Sequence, residues 1–149
     1  MKKLFIIGLS VFAVMACNKV DDTELNLNLI HKGELYGAGD EDISEENMII
    51  EKEHEWEDLL EKIDAVNNES ENFTETKIDF KEFIVIACFD KVRPSSGYSV
   101  EITNTEIKSK EVVFTLTKGS PEGMAATVIT QPYYLAKFPK TNKEITFTE

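Results

Sequence analysis

Apolar and polar positions follow three rhythms along this chain. Leu4 to Val14 is an apolar run broken only by Gly8 and Ser10. Leu25, Leu27 and Leu29 then alternate with Asn26 and Asn28, the period of a half-buried strand. "GELYGAG", residues 33 to 39, supplies turn positions, and "DEDISEEN" is a charged loop before a short strand at Met48-Ile49-Ile50. The period then lengthens. Trp56, Leu59, Leu60, Ile63 and Val66 form one stripe on a helix of about residues 53–67, stopped near Asn67-Asn68. A polar loop continues to Lys77.

From Ile78 onward the pattern is that of strands. "FIVIACF", Phe83 to Phe89, is apolar at every position, which predicts a central strand buried on both faces. Tyr98 to Thr103 and Val112 to Thr117 alternate. Residues 124–131 and 133–138 are two further candidates separated by Pro132, and Ile145 to Phe147 closes the chain. The prediction is one α+β domain over residues 25–149. Its core is a strongly bent antiparallel β-sheet, or an open β-barrel or sandwich, with one main α-helix packed on it.

The amino terminus does not belong to that domain. Lys2 and Lys3 precede an apolar core too short to span a membrane, which reads as an export signal. The signal ends in Val14-Met15-Ala16-Cys17, which resembles the lipobox of bacterial lipoproteins. The resemblance implies cleavage after a signal peptide of residues 1–16, a diacylglycerol thioether on Cys17, and acylation of the new amino terminus, as with palmitate. Several acyl chains, at ~0.8 kcal/mol per buried methylene, anchor stably where one would not. Residues 17–24 form a polar tether. "NKVDDTE" resembles the lysine-plus-acid signals that direct some lipoproteins to the outer face of the outer membrane. The expected location is the bacterial cell envelope, on the outer membrane. With Cys17 carrying lipid, Cys88 is alone and no disulfide is expected.

Charge is uneven. Residues 17–82 hold 21 acidic and 6 basic side chains, and residues 83–149 hold 7 and 8. Nothing basic offsets the acidic half, which argues against nucleic acid as a partner. The catalytic inventory is thin. His31 is read at the end of a strand and His54 in the first turn of the acidic helix, and neither neighbours a nucleophile. Cys88 lies in an apolar strand, where desolvation disfavours the thiolate. Asp40, Asp42, Ser44 and Glu51 occupy positions of a calcium loop. Glu45, however, stands where that loop needs glycine, and a solvated acidic loop is the simpler reading. The expectation is a chain that is not an enzyme and carries no cofactor.

The densest local signal is "RPSSGYSV", residues 93–100. A turn through Ser95, Ser96 and Gly97 can present backbone N–H groups, since glycine permits positive φ. Tyr98 then enters a strand. Pro132, Tyr133 and Tyr134 begin another. Either these residues meet as an aromatic lip that binds an extended polypeptide, or the rings simply close the end of the core.

Four segments resemble the PrcB C-terminal domain family, named for the lipoprotein subunit of a bacterial surface protease complex. "EHEWEDLLEKI" is similar to its helix with an early tryptophan, here Trp56. "IDFKEFIVIACFDK" is similar to its lead into a central strand, and "SSGYSVEIT" to its Thr-Gly-Gly-Tyr-Ser turn. "TQPYYLAKFPK" is similar to its late Pro-Tyr segment and closing Pro139-Lys140. Together they cover about residues 48–148. Ser96 replaces the first glycine of the family's pair. The resemblance implies a small β-rich domain, association with a protease, and no catalytic residue. "RPSSGYSV" also resembles the Asn-Pro-Thr-Thr-Gly-Tyr loop of chagasin-like cysteine protease inhibitors, with Arg93 in place of asparagine. The two resemblances imply two different roles. One is a lipoprotein that stabilises or assembles with a partner such as a secreted protease. The other is an inhibitor presenting loops 93–98 and 131–134 to a protease cleft.

Overall fold

The computed structural model describes residues 25–149. The signal peptide, Cys17 and the tether lie outside the described residues. Seven strands form: β1 (Asn28–Leu35), β2 (Glu46–Ile50), β3 (Phe83–Phe89), β4 (Ser99–Ile107), β5 (Glu111–Gly119), β6 (Gln131–Pro139) and β7 (Glu144–Thr148). Helix α1 (Glu53–Ile63) and a 3-10 turn (Glu69–Asn72) separate β2 from β3. Among the described residues the chain is α+β, with its strands in two sheets and no closed barrel. One is antiparallel in the order β1-β6-β3-β2. The other is β4-β5-β7, in which β7 runs parallel to β5.

The four-stranded sheet is the middle layer. Val85, Ala87 and Phe89 of β3 pack with Trp56, Leu59 and Ile63 of α1. Ile84, Ile86 and Cys88 of the same strand pack with Val112, Phe114 and Leu116 of the other sheet. β6 divides the same way, with Tyr133 and Leu135 on the helix side and Tyr134, Ala136 and Phe138 on the sheet side. Continuous apolarity in "FIVIACF" is thus the mark of a strand with covers on both faces. Each fully buried side chain of this size contributes roughly 1.5–3 kcal/mol.

Several boundaries differ from expectation. The helix ends at Ile63, not near residue 67, and Val66 is exposed. The Asp64 carboxylate accepts from the Ser70 amide (2.8 Å) and hydroxyl (2.6 Å), which diverts the chain into the 3-10 turn. Leu25 and Leu27 pack against the sheet-side core but precede the first strand, and Leu29 is exposed. A bulge between Leu29 and His31 breaks the alternation, leaving Ile30 and Leu35 as the inward positions of β1. β1 also runs through Gly33 and Glu34, which the glycine pattern placed in a turn, and His31 lies within it instead of at its end. Residues 124–130 are not a strand. β6 starts at Gln131 and carries Pro132 inside it, paired with Glu34 of β1.

Candidate functional site

Three loops meet at one end of the molecule: 36–45 after β1, 90–98 after β3, and 120–130 after β5. The Arg93 amide donates to the Thr130 carbonyl (2.6 Å) and the Thr130 amide to the Arg93 carbonyl (3.0 Å), a two-bond bridge between the second and third loops. The Ser96 amide donates to the Ala126 carbonyl (3.1 Å). The first loop closes on the second at Gly39, where an added Cβ would stand 3.3 Å from Val92 Cγ2. Gln131, buried at the start of β6, donates from Nε2 to the carbonyls of both Ile43 and Asp90 (2.9 Å each).

Two carboxylates lock this cluster. Glu34, at the end of β1, accepts from the Gly97 amide (3.0 and 3.2 Å) and from the Thr130 hydroxyl (2.8 Å). The same hydroxyl also lies 3.1 Å from the Ser95 carbonyl. Asp90, fully buried, accepts from Arg93 Nε (2.6 Å), and Arg93 in turn lies over the Tyr98 ring, 4.7 Å from its centroid. The second oxygen of Asp90 has only Lys118 Nζ nearby, at 3.6 Å, an ionic contact longer than a hydrogen bond. Lys118 itself is drawn to Glu149 (2.6 Å) and Glu45 (2.8 Å), and these bonds raise its pKa.

The predicted turn is present, with Gly97 at φ +91°. Ser96 has no positive φ, so the serine that departs from the family's glycine pair costs the turn nothing. The expected free backbone edge is not there, because the amides of Ser96 and Gly97 are bonded within the molecule. Tyr98 is half-buried beneath Arg93. With Tyr36, which is 54 % exposed, it lines a groove of about 300 Å³ between β1 and β4, where Lys32 pairs with Glu101 at 2.6 Å.

The other half of the predicted lip does not form. Residues 131–134 are strand, and Pro132, Tyr133 and Tyr134 are all buried. Tyr133 Oη donates to Glu69 Oε1 (2.9 Å) and lies 2.8 Å from His31 Nδ1, while its ring stacks near Phe89 and His31. Burial, then the Glu69 charge, raises its pKa above the ordinary 10.0. Tyr134 faces the opposite core. In place of these rings, the loop end exposes Tyr36, Val92, Met124 and Ile129. Their positions are not legible in the sequence, because isolated apolar residues in loops carry no period. Glu34 is equally hidden, inside a glycine-rich segment with the look of a turn.

The remaining chemical candidates are separate from this end. Cys88 is buried in the sheet-side core and its thiol is pushed up by burial to about 12. His54 is exposed on the first turn of α1. Among the described residues, no three His, Cys, Asp or Glu side chains gather as metal ligands, the stretch from Asp40 to Glu51 included.

Residues 84–139 match the family described as PrcB C-terminal. The resemblance holds over those residues, from β3 to the end of β6, and takes in the second and third loops of the cluster. The helix with Trp56 and the Ile78-Asp79-Phe80 lead lie outside the match. No curated protein and no solved structure matches the chain.

Proposed function

We propose that this chain is a non-enzymatic binding protein of the bacterial cell envelope. In this reading it is anchored to the outer membrane through lipid on Cys17, and its three-loop end holds and stabilises a partner protein such as a secreted protease. The observation that carries the reading is the combination at that end: exposed Tyr36, Val92, Met124 and Ile129 stand on loops tied to one another by Glu34, by the Arg93–Thr130 bridge and by Gln131. Apolar side chains on a preordered frame suit protein recognition, because little conformational freedom is lost on binding. Aromatic and long apolar residues of this kind often dominate such contacts. The PrcB C-terminal match supports the reading, since it spans two of the three loops. No small molecule or nucleic acid enters it. The inhibitor alternative keeps loop 93–98 but loses 131–134, which is buried strand.

The test is capture of purified secreted proteases from the source bacterium on immobilised protein, with protease activity and half-life measured in the complex. A stabilised and still active protease is the expected result. Tyr36→Ala combined with Met124→Asp should abolish capture while thermal unfolding is unchanged. Capture that persists in that variant overturns the assignment of the loop end, and loss of protease activity in the complex would favour inhibition.

A further inference from the structure

The four-stranded sheet has a second edge. β1 lies at one side, and β2 lies at the other with no strand beyond it among the described residues. An edge strand leaves half of its backbone N–H and C=O groups without a ladder partner and so offers a template for another strand. Apolar edges are usually blunted, and β2 is short, with Glu46 at its start. The edge nonetheless carries Met48, Ile49 and Ile50, and Ile49 is 39 % exposed.

Hollows flank this edge on both faces of the sheet. On the helix side, a hollow of about 250 Å³ is floored by Met48, Ile49, Ile50 and Leu59, with Glu55, Asp58 and Lys62 at its rim. On the other side, a hollow of about 360 Å³ runs between β2 and β7, lined by Ile49 and Ile145 together with Glu51, Lys52, Glu55 and Lys143; Ile49 and Glu55 border both hollows. Successive side chains of an added strand point alternately to the two faces. Side chains entering the helix-side hollow would lie on an apolar floor and reach a rim where the two carboxylates of Glu55 and Asp58 outnumber the Lys62 ammonium, which suits the long stem and charged head of lysine or arginine. Side chains entering the other hollow would meet Ile49 and Ile145, which suits valine or isoleucine. The charge around the edge agrees: residues 46–62 hold 7 acidic side chains and two lysines.

We propose that the β2 edge receives an extended segment of a partner protein in which basic and β-branched residues alternate, added as a fifth strand to the sheet. Backbone bonds to β2 give the affinity, and the two unlike hollows set the period-two pattern. A second copy of this chain is a poor occupant, because pairing two β2 edges antiparallel would bring Glu46 and Glu51 of one copy against those of the other. This site is built from other residues than the three-loop end, which lies at the ends of the strands and not along the β2 edge.

The probe is a fluorescent Lys-Val-Lys-Val-Lys-Val-Lys peptide titrated into the purified protein. Three control peptides accompany it: one with glutamate for lysine, one with the same composition in blocks, and one N-methylated at alternate amides. The alternating peptide should bind at least tenfold tighter than each control. Ile49→Lys, and separately Glu55→Gln with Asp58→Asn, should weaken it by about tenfold with melting temperature unchanged. Tyr36→Ala with Met124→Asp should leave it unaffected, which separates this site from the loop end. Equal binding of the block or N-methylated peptide would reduce the effect to general charge attraction and overturn the proposal. Sedimentation of the protein alone provides the last arm. Self-association abolished by Ile49→Lys would make a second copy the occupant, also overturning it.

Discussion

Segments 93–98 and 131–134 look alike in sequence, each a proline with a tyrosine within a few residues after it, yet they have opposite fates. The first is a turn whose side chains stand half-covered over a groove. The second opens a strand covered on both faces. The residues after each tyrosine make the difference. After Tyr98 the chain alternates, because β4 is an edge strand with one wet face. After Tyr133 it reads Tyr-Leu-Ala, apolar at consecutive positions, as "FIVIACF" does in the neighbouring β3. A tyrosine belongs to a surface or to a core according to the period it enters.

The largest effect expected from this contrast is at Tyr133. Its ring fills the helix-side core, so Tyr133→Ala should destabilise by about 3–5 kcal/mol, as emptying a buried aromatic site generally does. Trp56→Ala should match it, since Trp56 is buried across the same core and donates to the Thr76 carbonyl at 2.7 Å. Chemical denaturation measures both. A loss under about 1 kcal/mol at Tyr133 would return it to the surface and restore the two-segment lip.

Next in size is Gly97→Val. Gly97 combines φ +91° with a neighbour too close for any side chain, since an added Cβ would stand 2.9 Å from Pro121 Cβ. Strain and overpacking together should cost about 2–3 kcal/mol and loosen loop 120–130. Proteolysis of that loop, alongside denaturation, reads the change. A variant as stable and resistant as the parent would show that the turn does not depend on glycine.

The covered segment should also reveal itself in alkali. Burial raises the pKa of Cys88 from 9.0 to about 12, and raises Tyr133 and Tyr134 above 10.0. Above about pH 9 the unfolded chain therefore releases protons that the folded chain retains, and stability falls as pH rises. Each group adds a slope of up to about 1.4 kcal/mol per pH unit between its unfolded and folded values. Denaturation at pH 8, 10 and 11 should show the fall, with Tyr133→Phe flattening it. An unchanged slope in that variant would mean that Tyr133 ionises freely.

Legibility along the chain tracked the number of covered faces. β3 was readable to the residue, since seven consecutive apolar positions admit little else. The helix was readable by its stripe, but its end was not, because Asp64 stops it through a bond to Ser70 that no period announces. β1 was displaced by its bulge, and Gly33 looked like a turn although it sits in register opposite Tyr133. Pro132 reads as a divider between two strands, but it lies near the start of one, a position proline tolerates. Which strands share a sheet, and the parallel pairing of β7 with β5, left no trace, since alternation records a strand's faces and not its neighbours. Of the candidate site, Gly97 and Tyr98 were visible, while Glu34 and the apolar tips of three loops were not.

The smallest stability effect, and the one that bears most on function, is at Tyr98. Its ring is half-buried, lies under Arg93 and lines the groove with Tyr36. A partly exposed cation–π contact contributes about 0.5–1 kcal/mol, so Tyr98→Ala should lower unfolding free energy by only about 1 kcal/mol, far less than Tyr133→Ala. Arg93 keeps its bond to the buried Asp90, which holds the loop in place after the ring is removed. If the groove contributes to partner binding, the same change should weaken capture by more than about 1 kcal/mol, roughly fivefold or more, as interface aromatics often do. Tyr98→Phe keeps the ring under Arg93 and should restore most of both quantities. Measuring unfolding and capture on the same samples distinguishes the cases, since a purely structural role lowers capture only by the fraction unfolded, which for a stable domain is negligible. Capture by Tyr98→Ala equal to that of the parent would exclude Tyr98 and leave Tyr36, Val92, Met124 and Ile129 to carry the contact.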